Sequence, residues 1–318
     1  MSWITTQGND VWFASKEDGV SRFDKVTGKW TIYKQADFLA DNDVRDIARD
    51  ADGNLWIATV AGVSVYTPET RSWEVISKED GLPTPYVMAV DIVSQSSESK
   101  LSKLSKISKG QIWIGTARGL GSCTHFGGQW TFHRPAQGEA FVTVVATGRG
   151  SDNIIDAGQI WLGTNLGPAM YDTNSQEWTQ LTLPDAPKNP LILSLLIHDE
   201  NVWFSGVGGV WRYSVVDKQM HQVTEGLKNP YVNVLLAVDN VLWAGTQEGL
   251  AKYDNKQQRW TLVSFEDESK EQSPSPSITA LAYQEGVLWV GTPQGLGSYT
   301  IATEKLSLIH ISEPTRPY

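Results

Sequence analysis

The sequence predicts an all-β fold, a seven-bladed β-propeller built from four-stranded antiparallel blades. Three observations predict it. One five-residue motif recurs seven times, at spacings of 44, 57, 48, 42, 40 and 46 residues, which is the length of a propeller blade. Apolar runs of strand length separate the copies, bounded by Gly, Pro, Asn and Asp. No segment carries a sustained 3.6-residue apolar period, so helices are expected to be nearly absent. The 318 residues would by length alone suggest about two ordinary domains, but an internal repeat takes precedence over length.

Each unit divides into four strands. The inner strands are VRDIARD from Val44, YVMAVDIV from Tyr86, FVTVVAT from Phe141, LILSLLI from Leu191, YVNVLLAV from Tyr231 and SITALAY from Ser277. Their nearly continuous hydrophobicity implies burial on both faces. The second strand carries the motif: Trp12 in VWFAS, Trp56 in LWIAT, Trp113 in IWIGT and Trp161 in IWLGT, then Trp203 in VWFSG, Trp243 in LWAGT and Trp289 in LWVGT. The third runs from a Gly-apolar pair to an aromatic, as in GVSRF, GVSVY, GVWRY, GLAKY and GLGSY. The outer strand holds a second tryptophan 17 or 18 residues after the first, at Trp30, Trp73, Trp130, Trp178 and Trp260. His221 takes that place in the fifth unit and Leu306 in the seventh. Asp52-Gly53 and Gly127-Gly128 supply positive-φ positions for tight turns. The expected blades cover residues 1–33, 43–77, 85–133, 141–182, 191–224, 231–264 and 277–305. Because the seven motif tryptophans recur at one fixed position, they read as structural wedges between blades. A surface of exposed, carbohydrate-stacking tryptophans is the competing reading.

Composition excludes several classes of function. The chain holds 26 Lys+Arg against 36 Asp+Glu, a formal net charge of −10, and lacks the basic stripe that nucleic-acid binding requires. No apolar stretch approaches the ~20 residues of a membrane span, and MSWITTQGND shows no signal-peptide pattern. A single cysteine, Cys123, rules out an internal disulfide framework and a cysteine-based zinc site.

The unit IWIGT…GL…Y…W resembles the two-component regulator propeller repeat, most closely in LWIATVAGVSVY from Leu55 and LWVGTPQGLGSY from Leu288. The resemblance runs from Met1 to about Lys305. It departs locally at Ala14 and Ala58, which replace the motif Gly, at the FSG of the fifth unit, and at Pro168. Propellers of that family are typically extracytoplasmic sensor domains of bacterial regulators, followed by a further β domain, a membrane span and a histidine kinase. The resemblance therefore implies a sensor or scaffold module, placed outside the cytoplasm by family likeness alone. From Leu306 the chain reads LSLIHISEPTRPY and leaves the repeat in mid-unit. LSLIHISEPTR resembles the translation of a sequencing-library adaptor, so residues 306–318 are expected to be a non-native tail.

Candidate chemistry is sparse. Asp50-Ala51-Asp52-Gly53-Asn54 has the look of a calcium loop, but Leu55 and Ala61 occupy its sixth and twelfth positions, where Gly and an acid are needed; it reads as a hairpin turn. His125, His133, His198 and His221 form no pair at metal-ligand spacing, and there is no G-x-S-x-G elbow or phosphate loop. No metal, cofactor or catalytic residue is assigned. The insert at 94–110 spaces Lys100, Lys103, Lys106 and Lys109 three apart; it reads as a low-complexity solvated loop, or as a short basic amphipathic helix. The residues at the starts of the inner strands, Asp43, Arg45, Tyr86, Phe141, Asn189, Tyr231, Asn233 and Ser277, are the candidate ligand-binding set at a channel mouth. Their competing role is to cap blade junctions. Trp211 stands where other units carry Ser, Gly or Ala; exposed, it would suit an interface, and buried it would fill space. The sequence thus points to recognition of a polar small molecule or oligosaccharide, or of a protein partner, with no catalysis. An interaction scaffold is the alternative, and a propeller lyase or hydrolase a more distant one.

Overall fold

The computed structural model describes residues 3–93, 110–124, 127–135, 138–147, 158–188, 190–263, 277–293 and 295–309. Its strands, β1 to β28 in chain order, form seven four-stranded sheets, each antiparallel and each using four consecutive strands. The blades are β1–β4 (Trp3–Tyr33), β5–β8 (Val44–Ile76), β9–β12 (Val87–His133), β13–β16 (Val142–Gln180), β17–β20 (Ile192–Gln222), β21–β24 (Val232–Leu262) and β25–β28 (Ala280–Ile309). Among the described residues the only helical turn is a 3-10 helix at Gln35–Asp37. The inner strands β1, β5, β9, β13, β17, β21 and β25 contact one another in sequence, and β25 meets β1 to close the ring.

Each letter of the repeat has a physical assignment. The motif tryptophans are between 1% and 6% exposed, and each packs into a cluster with residues of the following blade. Trp12 packs with Val44, Ile47 and Leu55, Trp161 with Ile192 and Phe204, and Trp289 with Val11 and Phe13. There are thus seven interblade cores, each wedged by one indole. Cations on the third strand cover three of these rings: Arg22, Arg212 and Lys252 lie 5.8, 5.8 and 5.6 Å from the centroids of Trp12, Trp203 and Trp243.

The motif Gly allows close approach of a neighbouring inner strand. A Cβ at Gly245 would stand 2.6 Å from Ile278 Cγ2 of the next blade. The motif Thr shapes the turn: the Thr59 hydroxyl donates to Gly62 O (2.9 Å) and accepts from the Ala61 amide (3.2 Å). The same pair of bonds recurs at Thr116, Thr164 and Thr246. Gly62, which opens the third strand, has φ 143° and would set a Cβ 2.5 Å from Ile76 O, so no other residue fits without strain.

The outer-strand aromatic pairs across to the third-strand aromatic, with centroids 4.8 Å apart for Tyr66–Trp73 and 5.0 Å for Tyr253–Trp260. In the fifth blade the register sets Met220, not His221, opposite Tyr213, so Met220 fills the repeat position and His221 is exposed. The sequence placed it one residue late. The 18-residue spacing of Trp12 and Trp30 reflects a longer turn between Ser15 and Gly19, which the fifth blade does not share. In the seventh blade Leu306 does lie opposite Tyr299, and β28 (Lys305–Ile309) supplies the outer strand. Residues 310–318 lie outside the described residues.

Candidate functional site

The inner strands surround a central lumen of about 850 Å³. Five of them carry a β-bulge near their start: an extra residue separates Val44 from Asp46, and Val142 from Val144, with equivalents in β9, β17 and β21. A bulge re-aims the side chain at its centre. Here it turns bulged residues toward the next blade: Thr143 Oγ1 donates to Ile192 O (2.6 Å) and Asn233 Nδ2 to Ile278 O (2.8 Å).

Deeper in the ring, buried polar side chains satisfy the strand edge of the following blade. Asp46 Oδ2 accepts the Val90 amide (2.9 Å), and Asp91 Oδ2 accepts the Thr147 amide and hydroxyl (2.7 and 2.8 Å). Ser194 Oγ accepts the Leu235 amide (3.0 Å). An inner strand pairs on one side only, so its free edge exposes amides that must find acceptors. These side chains provide them, and they hold adjacent blades together around the lumen.

Two faces follow from the strand directions. The near face carries the starts of the inner strands and the turns between second and third strands. The far face carries the hairpins joining inner to second strands. The lumen cavity lies from mid-strand toward the far face, lined by residues such as Asp46, Asp91, Ser194, Leu196, Leu236 and Tyr283.

The candidate binding residues sit on the near face, and the described members of the set do not line this cavity. Asp43 and Arg45 form an ion pair with each other, both partly buried. Tyr86 is 54% exposed. Phe141, Tyr231 and Ser277 are half-buried, and the carbonyls of Asp43, Phe141 and Tyr231 accept amides from the second-to-third-strand turns of their own blades. Asn233 is committed to the next blade, in the capping role. Asn189 lies outside the described residues.

Trp211 is fully buried, and its indole N–H donates to Pro184 O (3.0 Å). It is a packing residue beneath the Pro184–Pro187 loop, where a Cβ on Gly208 would touch both Pro187 and Trp211. Buried in this way, Trp211 fills space and offers no interface.

The remaining motifs resolve similarly. Asp50 accepts from the amides of Asp52 and Asn54, from Asn54 Nδ2 and from Trp56 Nε1, so this segment is a hairpin turn that caps a motif indole. His133 is held between Ser122 Oγ (2.9 Å) and Tyr171 OH (2.8 Å) of the next blade, and burial pushes its imidazole below the ordinary value. Burial likewise raises the phenols of Tyr66, Tyr171, Tyr213, Tyr253 and Tyr299, all third-strand residues. His125 and residues 94–109 of the basic insert lie outside the described residues. Among the described residues no three His, Cys, Asp or Glu side chains gather as a metal site, and no helix is long and apolar enough to cross a membrane.

Comparison with known proteins agrees with this architecture. The family model described as "two component regulator propeller" matches residues 39–61, a stretch running from the near-face loop through β5 and β6, which bears out the repeat resemblance there. No curated protein matches the sequence. Among solved structures, the chain is similar to the extracellular domain of a putative one component system from B. thetaiotaomicron (15% identity, TM-score 0.57, covering 96% of this chain and 46% of that one). It is also similar to the extracellular domain of a putative hybrid two component system from the same organism (16%, 0.56, 98% and 46%). An ancestral GH74 enzyme superposes as well (15%, 0.69, 96% and 45%). The chain thus spans under half of each of these three, and at such identities the likeness shows the propeller fold alone.

Proposed function

We propose that this chain is the sensory recognition propeller of a bacterial two-component-type regulator, binding a polar small molecule or oligosaccharide without transforming it. The observation that carries the reading is the central lumen of about 850 Å³, within the usual size range of small-molecule sites, ~300–1,000 Å³. The repeat match at residues 39–61 supports the sensor class. A ligand in the lumen touches inner strands from several blades at once, so its binding energy is read out as closer association of the ring. The buried polar groups Asp46, Asp91 and Ser194 of the wall are hydrogen-bonded into blade seams, which suits a rigid receptor better than a proton-transfer site.

The test is a thermal-shift screen of polar metabolites and oligosaccharides, because a ligand that binds only the folded ring raises its melting temperature. A hit lost in Leu236→Trp, which fills the lumen, supports the site argued here. A hit lost in Tyr231→Ala with Leu236→Trp unaffected moves the site to the near-face set of Asp43, Arg45, Tyr86, Phe141, Asn189, Tyr231, Asn233 and Ser277. Turnover of any hit overturns the non-catalytic reading.

A protein-interaction scaffold is the second reading, favoured by exposed apolar side chains on the near face. Phe38, Tyr86 and Leu166 are 67%, 54% and 57% exposed, and Phe38 is held at φ 96°, an outlying conformation for a bulky residue. Partner capture lost in Tyr86→Ala but retained in Leu236→Trp would favour it.

A further inference from the structure

The lumen carries Thr6, Arg49 and Tyr283 on one arc and Leu196, Ile197 and Leu236 on another, and this asymmetry specifies a class of ligand, given that the lumen is the binding site. Thr6, Arg49 and Tyr283 belong to three successive blades and occupy the same register, each paired to the residue just before a motif tryptophan. The β5–β6 turn adds Asp52 beside them. Across the ring, Leu196 and Ile197 of β17 and Leu236 of β21 are half-buried and line the same cavity.

Charge within the lumen is distributed unevenly. Asp46, Asp50 and Asp91 already accept hydrogen bonds from strand-edge and turn donors. Arg49 and Asp52 are both exposed, and neither forms an ion pair among the described residues. Among the described residues Arg49 makes one hydrogen bond, to Thr6 O (3.2 Å). The turn between them is fixed by the Asp50 bonds and by Gln7 Nε2, which donates to Gly53 O (3.0 Å). Arg49 and Asp52, without an ion-pair partner among the described residues, therefore stand three residues apart on a support held by these bonds, in a cavity whose lining also includes Leu196, Ile197 and Leu236.

We propose that the lumen binds a free α-amino acid with an apolar side chain. Its carboxylate meets Arg49 in the bidentate geometry a guanidinium offers, its ammonium meets Asp52, and its side chain crosses to Leu196 and Leu236. A neutral sugar uses neither charge, and a simple anion or cation leaves one of the two unmatched.

Isothermal titration of the full chain with L-leucine tests this, with isovalerate (no ammonium), isoamylamine (no carboxylate) and a neutral disaccharide as companions. Leucine is expected to bind about tenfold or more tightly than either half-ligand, since each lost charged hydrogen bond costs at least that. Arg49→Gln should weaken leucine to the same extent and leave isoamylamine unchanged; Asp52→Asn should spare isovalerate instead. Both positions are exposed, and circular dichroism verifies that the variants fold. Leucine failing to bind, or binding no better than the half-ligands, overturns the proposal. If the disaccharide alone binds and Leu236→Trp abolishes it, the ligand class falls while the lumen stands; if no binding responds to Leu236→Trp, both fall.

Discussion

The seven motif indoles look alike in sequence but not in their hydrogen bonding, and that difference is measurable. Trp56 Nε1 donates to the Asp50 carboxylate at 3.0 Å, whereas the N–H groups of Trp12, Trp113, Trp161, Trp203 and Trp243 are buried without an acceptor among the described residues. Truncating any of them to Ala is expected to cost about 3–5 kcal/mol, through lost burial and the void left behind. Replacement by Phe isolates the polar contribution, because the smaller ring leaves a similar void at every site. Trp56→Phe also forfeits a hydrogen bond to a charged acceptor, worth about 1.5–3 kcal/mol. Trp161→Phe removes a buried donor that had no partner, which offsets part of its packing loss. Urea denaturation of both variants should therefore show Trp56→Phe the less stable by about 1.5–3 kcal/mol, at unchanged m-value. Combining each with Asp50→Ala should reveal coupling at Trp56 and none at Trp161. Equal costs for the two Phe variants would refute the assignment, as would a loss below about 1 kcal/mol for Trp161→Ala.

Three further outcomes are expected. Gly62→Ala should destabilise by more than about 1 kcal/mol, and by more than Gly28→Ala, because Gly28 has open space where Gly62 meets Ile76 O at 2.5 Å; thermal melts compare the two. Asp91→Ala, which strips the acceptor from the Thr147 amide and hydroxyl, should cost about 1.5–3 kcal/mol in urea denaturation. His133 sets a pH dependence. Burial lowers its folded-state pKa from 6.5, so its neutral form is the one the fold accommodates. That contribution is fully present above about pH 6.5 and is lost as pH falls through the folded value. His133→Tyr, the residue blade one carries at this place as Tyr33, should flatten the stability–pH curve below pH 6.5; an unchanged slope would show that the imidazole does not carry it.

Blade number, strand order and the buried tryptophans were readable because each reflects a residue type that only one environment tolerates. An indole recurring at one position has to be wedged, and a Gly at φ 143° admits no substitute. The lumen was not readable. Its polar arc is carried by Thr6, Arg49 and Tyr283, ordinary strand residues that converge only once seven strands close on one another. The bulges were equally hidden, since an extra residue such as Arg45 or Asn233 looks like one more step of a strand until the partner register is known. Trp211 was open for the same reason: whether it faced solvent depended on the Pro184–Pro187 loop folding over it.

The ring closes without strand exchange: β1 to β4 make up one blade, β25 to β28 another, and the two meet through Val11, Phe13, Ala282, Trp289 and Leu296, with Gln284 Nε2 reaching Gly8 O (2.9 Å). In mechanical terms the described residues form a ring whose first and last blades meet face to face. Among the described residues, six seams are spanned by the chain between consecutive blades, and the seam between β25–β28 and β1–β4 is held by this packing and this hydrogen bond. The same connectivity makes every blade an uninterrupted cassette.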